Sequence, residues 1–258
     1  MKIYILADME GISGIRMMEQ VKRDSPQYQH GCELMMADIN CAVAAAFDAG
    51  ATEVVACDTH GGGGQIRLDR MDARAVYETP NAGCMMPALD ESFDGVILLG
   101  HHARAGTLNG FLDHTMNSMA WFEFTINGRA VGEIGIEAAY AGHFGVPVVA
   151  VTGDEAMAAE ARDLLGDVEC AVVKWGVGRN RARCLPPDKA HAEITRAVSA
   201  AVKRAASMKP YTPDLPATMR LTFYRSDMAD DRARTAGVTR VDARTIEYTI
   251  DSLDRIRL

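Results

Sequence analysis

Two acidic residues at spacing two, Asp8 and Glu10, follow directly on the apolar run Ile3-Tyr4-Ile5-Leu6-Ala7 and precede Gly11-Ile12-Ser13-Gly14. A run of β-formers that breaks into acids reads as a buried strand delivering both carboxylates to its C-terminal rim, where open α/β sheets bind ligands. Spacing two puts both side chains on one face of the extended chain. Carboxylates that close repel each other, and burying them unpaired is expensive, so the pair asks for a cation. A divalent metal is the simplest one; the plain alternative is a strand end capped by solvated acids.

The same pattern recurs along the chain. A second apolar stretch, 53–58, ends in Cys57-Asp58-Thr59-His60 and is followed by Gly61-Gly62-Gly63-Gly64; a third, 96–99, ends in Gly100-His101-His102-Ala103-Arg104. Only one of His101 and His102 faces the rim if the strand continues, and the other belongs to the core. Val131-Gly132-Glu133-Ile134-Gly135 brings another carboxylate to the point where a candidate hairpin leaves its sheet, and Asp113-His114-Thr115 precedes that hairpin. Carboxylates and imidazoles suit zinc and its neighbours in the first transition row, and their number exceeds what one tetrahedral centre uses. A two-metal site with one bridging carboxylate follows. The histidine and glycine run also fits a phosphate or oxyanion nest, but the Gly-x-Ser-x-Gly elbow of a serine esterase occurs nowhere in the chain. His30, His143 and His191 fall on helical or loop patterns and read as structural, and Asp94 and Glu137 read as solvated.

The elements that must position these residues form an alternating pattern. Residues 28–49 carry apolar side chains at helical spacing (Leu34, Met35, Ile39, Val43, Ala46, Phe47) and stop at Gly50. With the strand at 53–58 this makes a βαβ unit, whose crossover is right-handed and whose sheet is parallel. Short apolar runs at 96–99 and 146–151 and a strand at 169–174 extend that sheet, and Asp154 N-caps an Ala-rich helix reaching Leu165. Residues 121–126 alternate and meet Asn127-Gly128, a strong hairpin signal inside a parallel pattern. A helix over 188–207 leads into a segment with Pro210, Pro213 and Pro216, which reads as a linker. Beyond it come a strand at 219–224, an alternating strand at 245–249 and a helix start at Ser252. The expected architecture is α/β: a mostly parallel, Rossmann-like sheet flanked by helices over 1–208, an inserted hairpin at 121–133 packing with the second unit, and a smaller α+β domain over 209–258.

A net charge of −8 argues against nucleic acid or an anionic membrane as partner. The six cysteines form no Cys-x-x-Cys pair, the N-terminus enters a strand without a signal-peptide pattern, and no apolar run approaches the ~20 residues of a membrane span. These features lead to the expectation of reduced thiols in a cytoplasmic protein.

Taken in order, Asp8-Met9-Glu10-Gly11-Ile12-Ser13-Gly14, Asp58-Thr59-His60, Gly100-His101-His102-Ala103-Arg104-Ala105, His114-Thr115-Met116, Val131-Gly132-Glu133-Ile134-Gly135 and Lys174 with Cys184-Leu185-Pro186 resemble the DppA-like D-aminopeptidases, zinc peptidases associated with dipeptide-transport operons. The resemblance implies that Asp8, Glu10, His60, His102 and Glu133 hold two zinc ions, with Asp8 bridging, and that His114 is a catalytic imidazole outside their coordination. It selects His102 over His101, a position where family members more often carry an aromatic residue. It further implies hydrolysis of the N-terminal bond of short peptides, with small D-residues such as D-alanine preferred, and a ring-stacked homodecamer around an internal channel. Gly61 to Gly64 replace an ordinary polar segment of that family, so the loop beside the metals is expected to be unusually mobile or open. Arg104 and Lys174 are available either to hold a peptide carboxylate or to form salt bridges at the surface. Two other classes share the metal signature: a metal-dependent amidase or phosphoesterase, and a non-catalytic, metal-containing peptide-binding oligomer. His114 separates the last from the enzymes, because a binding protein has no need of such an imidazole.

Overall fold

A computed structural model gives the fold and describes residues 1–81 and 84–256. In chain order the elements are β1 (Lys2–Ala7), α1 (Tyr28–Asp48), β2 (Glu53–Asp58), β3 (Val76–Glu78), β4 (Gly95–His101), β5 (Trp121–Ile126), β6 (Arg129–Val131), α2 (Glu133–His143), β7 (Val148–Asp154), α3 (Glu155–Leu165), β8 (Glu169–Gly176), β9 (Ala182–Cys184), α4 (Pro187–Arg204), β10 (Ala217–Phe223), α5 (Ser226–Arg232), β11 (Thr239–Arg240) and β12 (Thr245–Ile250). The continuous apolar runs become the centre of a seven-stranded sheet of order β3-β2-β1-β4-β7-β8-β9, parallel except for β9. β5 and β6 leave it and join a five-stranded antiparallel sheet of order β11-β12-β10-β5-β6, so the inserted hairpin pairs with the C-terminal segment.

Alternation along β1 separates two cores. Ile3 and Ile5 pack with Met35, Ile39 and Val43 of α1 and Ile194 and Val198 of α4. Tyr4 and Leu6 face the other way, toward Ile134 and Ile136 of α2 and toward Phe124, Met219 and Ile246 of the second sheet. α2 therefore lies between the two sheets, and ten of its eleven residues are buried. A helix with no wet face has no polar stripe, which is why the sequence pattern gave no helix here. Residues 131–135, read as a returning strand, instead divide: β6 ends at Val131 and Glu133 opens α2. The helix expected from Ser252 is a single 3-10 turn, Leu253–Arg255.

The strand order reverses between β1 and β4, the place where open α/β sheets leave a crevice beyond their carboxyl ends. There the two chains run unusually close. Asp8 N donates to Leu99 O at 2.8 Å and Gly11 N to Gly100 O at 2.6 Å. A Cβ at Gly11 would come within 2.1 Å of His101 O, and one at Gly100 within 2.4 Å of Asp8 O, so both positions require glycine.

The segment between β1 and α1 is tied down from inside the protein by Lys174, which is fully buried. Its Nζ donates to the carbonyls of Glu10 (2.8 Å), Ile12 (2.5 Å) and Ile15 (2.7 Å). Three acceptors match the three protons of an ammonium, and burial draws the group down to about 8. Lys174 is thus a strut of the loop that follows Asp8 and Glu10, not a holder of substrate carboxylate. Lys174→Met would strand three buried carbonyls and is expected to lower unfolding free energy by about 3–5 kcal/mol. Urea unfolding of the two proteins checks this, and an unchanged midpoint would remove Lys174 from that role.

Candidate metal centre

Each of the sequence-predicted residues reaches the crevice by a different route. Asp8 and Glu10 leave the end of β1, His60 sits in the turn after β2, His102 follows β4, and Glu133 is the first residue of α2. His114 comes on the long connection between β4 and β5, which is held by a series of buried polar contacts. Asp154 caps α3 through Met157 N (2.8 Å) and also receives Phe111 N (2.8 Å), Leu112 N donates to Arg179 O (2.7 Å), and Asp113 receives Gly106 N (2.6 Å). Leu112 and Met116, on either side of His114, have φ of 51° and 57°, a left-handed conformation that non-glycine residues seldom adopt and that tends to occur at functional sites.

The side chains gather into two clusters, Asp8 with Glu10 and His60, and His102 with His114 and Glu133; within each, donor atoms lie within 4.8 Å of one another. His60 Nε2 is 3.3 Å from Glu10 Oε1. His102 Nε2 is 3.4 Å from Asp8 Oδ2 and 3.5 Å from Glu133 Oε1, so Asp8 touches both clusters. His114 Nε2 is 3.4 Å from the same Glu133 oxygen, and its ring stacks on His102 with centroids 4.1 Å apart. Of His101 and His102, it is His102 that enters the cluster. His101 turns into the core and places Nε2 2.6 Å from Glu137 Oε2. Glu137, expected to be solvated, is only 3% exposed.

Several donors are aimed with their other nitrogen fixed. His114 Nδ1 lies 2.9 Å from Leu112 O and His102 Nδ1 2.9 Å from Ala103 O, so in each ring Nδ1–H donates to a backbone carbonyl and Nε2 is left for the cluster. Gln65 places its side-chain amide 3.3 Å from His60 Nδ1 while donating to Tyr28 Oη and His60 O at 2.9 Å. Glu133 Oε1 accepts Met116 N at 2.7 Å. Against this careful orientation, the buried atoms Asp8 Oδ2, Glu10 Oε2 and His102 Nε2 have no hydrogen-bond partner among the described residues. Buried polar atoms are nearly always satisfied, so an orphaned set of two carboxylate oxygens and an imidazole nitrogen fits a divalent cation.

The electrostatics agree. Burial alone would neutralise Glu10 and Glu133, yet the facing imidazoles hold Glu10 well below its usual range, and His102 and His114 hold Glu133 at about 2. Against the same desolvation, Glu10 and its acidic neighbours raise His60 to about 9, and Glu133 and Asp8 raise His102.

The clusters open into a cavity of about 690 Å³ whose walls include Met18, Lys22, Met85, Met116, Glu137 and Arg179. Arg104 and Lys174 are not among its walls; the Arg104 backbone N–H instead donates to Glu160 (2.7 Å), which also receives Gly132 N (3.1 Å) just before Glu133. Gly61 and Gly62 line the cavity, and all four glycines of the run have positive φ. Gly61, Gly62 and Gly64 are exposed, so the loop is open as expected, and it is tied at its edges: Asp58 Oδ2 accepts Gln65 N at 2.7 Å, and Arg23 donates to Gly61 O and Gly63 O at 3.2 and 2.6 Å. Glu137 and Glu160 were not legible as site residues, although reading 133–143 as helical would have placed Glu137 one turn from Glu133.

The sequence profile of a family described as D-aminopeptidase matches residues 1–257. A D-aminopeptidase of Bacillus subtilis is 34% identical over 232 residues, which cover 89% of this chain and 84% of that protein. A solved structure described as the Zn-dependent D-aminopeptidase DppA from Bacillus subtilis, a self-compartmentalizing protease, superposes with a TM-score of 0.95 at 30% identity, over 99% of this chain and 94% of the other.

A cation entering these clusters must displace protons from His60 and His102, since an imidazole coordinates only when neutral. With His60 raised to about 9, the proton is present at pH 7 and below, so divalent-cation binding is expected to release protons and to weaken as pH falls from 8 to 6. Calorimetric titration in two buffers of different ionisation enthalpy measures this; binding with no proton release would contradict the charge arrangement.

Proposed function

Because the chain belongs to the D-aminopeptidase family, we propose that it is a dinuclear zinc aminopeptidase that removes the N-terminal residue of short peptides, D-alanyl peptides first. The observation that carries this reading is the contact of Asp8 with both ligand clusters. On this reading Glu10 and His60 would hold one ion and His102 and Glu133 the other, with Asp8 placed to serve both. Zinc bound there supplies Lewis acidity, polarising a peptide carbonyl and lowering the pKa of water toward ~7.

The chain itself supplies orientation and proton handling. His114 has one nitrogen committed to the Leu112 carbonyl and presents Nε2 to the cavity beside Glu133, the geometry of a group that passes a proton to a leaving amine or steadies an oxyanion. The apolar walls Met18, Met85 and Met116 exclude water from small substrate side chains. Leu108 and Met119, on the connection that carries His114, are 86% and 75% exposed, apolar surface that a neighbouring copy would cover. A homodecamer enclosing the active sites accords with this and with the self-compartmentalizing relative. The cytoplasm suits its six free cysteines. No described helix is long and apolar enough to cross a membrane.

Purified protein should carry two zinc ions per chain, with Asp8→Asn losing both more readily than Glu10→Gln loses one; elemental analysis after desalting decides, and one ion per wild-type chain would end the bridging role. His114→Ala is expected to keep its zinc while losing about 10²–10⁴ in kcat. If that variant loses an ion instead, His114 is a ligand, as its place in the second cluster allows. With zinc supplied, D-Ala-D-Ala should be cleaved at least ~10²-fold faster in kcat/KM than L-Ala-L-Ala. Equal rates would overturn the stereochemical reading, and cleavage of N-acetylated peptides would overturn the aminopeptidase reading. Native mass spectrometry should show ten chains per particle.

A further inference from the structure

Glu137 belongs to neither ligand cluster, yet it lines the cavity together with Asp8, Glu10, His114 and Glu133. It is 3% exposed, and its Oε2 is held by the fully buried His101 at 2.6 Å. His101 is itself braced, its Nδ1 lying 3.3 Å from Leu99 O. Oε1, the other carboxylate oxygen, has no hydrogen-bond partner among the described residues, and Glu137 is one of the residues that line the cavity. A buried carboxylate fixed on one side and unpartnered on the other has one missing donor, and a carboxylate accepts from cationic donors best.

Distance narrows the choice of donor. Residues four apart on a helix have Cβ atoms about 6 Å apart, which sets Glu137 one turn from Glu133. In a peptide the α-nitrogen is about 2.5 Å from the scissile carbonyl carbon, and an ammonium sits about 2.8 Å from the oxygen that binds it. A peptide whose scissile carbonyl is held beside Glu133 would therefore carry its α-nitrogen within about one helical turn, toward Glu137. A lysine-type side-chain ammonium, four methylenes further from the carbonyl, overshoots it.

We propose that Glu137, oriented by His101, is the residue that receives the α-ammonium of the substrate and so restricts the enzyme to peptides with a free N-terminus. The proposal rests on the aminopeptidase reading above, and it assigns recognition of the amine to the protein in addition to whatever the metals contribute. His101 is a positioning residue in it, since its side-chain hydrogen bonds among the described residues go to Glu137 and the Leu99 carbonyl. Substrates with a hydroxyl or an acylated nitrogen in place of the ammonium leave Oε1 without its charged donor.

Glu137→Gln keeps the shape and an oxygen for His101 while removing the charge. In zinc-loaded enzyme acting on D-Ala-D-Ala, KM is expected to rise roughly 10- to 100-fold with a smaller change in kcat and an unchanged zinc content. Competitive binding of D-alaninol and of its analogue with hydroxyl in place of the amine gives a second readout: the wild type should favour the amine by a similar factor, and the variant should lose that preference. A variant with wild-type KM and preference overturns the proposal. So does a wild type that binds both alcohols alike, a result that needs no variant to fold. A wild type that cleaves none of the peptides yet favours the amine, with Glu137→Gln losing that preference, would sink the aminopeptidase reading while sustaining the role of Glu137.

Discussion

Three carboxylates and three imidazoles share a nearly dry space at the end of a parallel sheet, and the rest of the molecule is arranged so that they can. Charge burial is the dominant cost in such a place, and only mutual pairing or a bound cation offsets it. Here the imidazoles face the carboxylates in both clusters, while Asp8 Oδ2, Glu10 Oε2 and His102 Nε2 are left aimed inward without hydrogen-bond partners. The backbone accepts strain around them: Leu112 and Met116 adopt left-handed conformations, and Gly11 and Gly100 allow a main-chain approach that no other residue permits.

The supports are as informative as the donors. Lys174 from inside, Glu160 across Arg104 and Gly132, and Asp154 across Phe111 each join backbone segments that are distant in sequence. None of the three lines the cavity. They use buried charged side chains for main-chain hydrogen bonding, which ties the loops beyond the sheet to one another. α2 adds a different kind of support, because its N-terminal residue Glu133 is placed by a helix clamped between two sheets.

The sheet and most of the candidate site could be read in the sequence because buried parallel strands announce themselves: apolar runs stop at Asp8, at Asp58 and at His101, where the strands meet their carboxyl-end rim. The acidic and imidazole side chains just past those stops were legible for the same reason. What escaped depends on surroundings rather than on local pattern. A lysine in β8 carries no mark telling whether it reaches water or three carbonyls. Glu137 looked solvated because α2 shows no amphipathic period, and it shows none because both its sides are covered. Gly61 to Gly64 suggested an open or mobile loop by composition, and nothing in the run itself announced the hydrogen bonds that Arg23 and Asp58 make to it and to Gln65.

The strut made by Lys174 also orders events in time. Its carbonyl partners lie more than 150 residues earlier, at Glu10, Ile12 and Ile15. A ribosome delivers the acidic strand end first and its anchor only after β8 has been made, so the first ligands spend most of synthesis untethered, beside a sheet still missing its far strands. In the dinuclear reading proposed above, a metal that needs the finished geometry would be captured only after β8 is in place, although the N-terminal motif that most plainly declares the candidate site is made first.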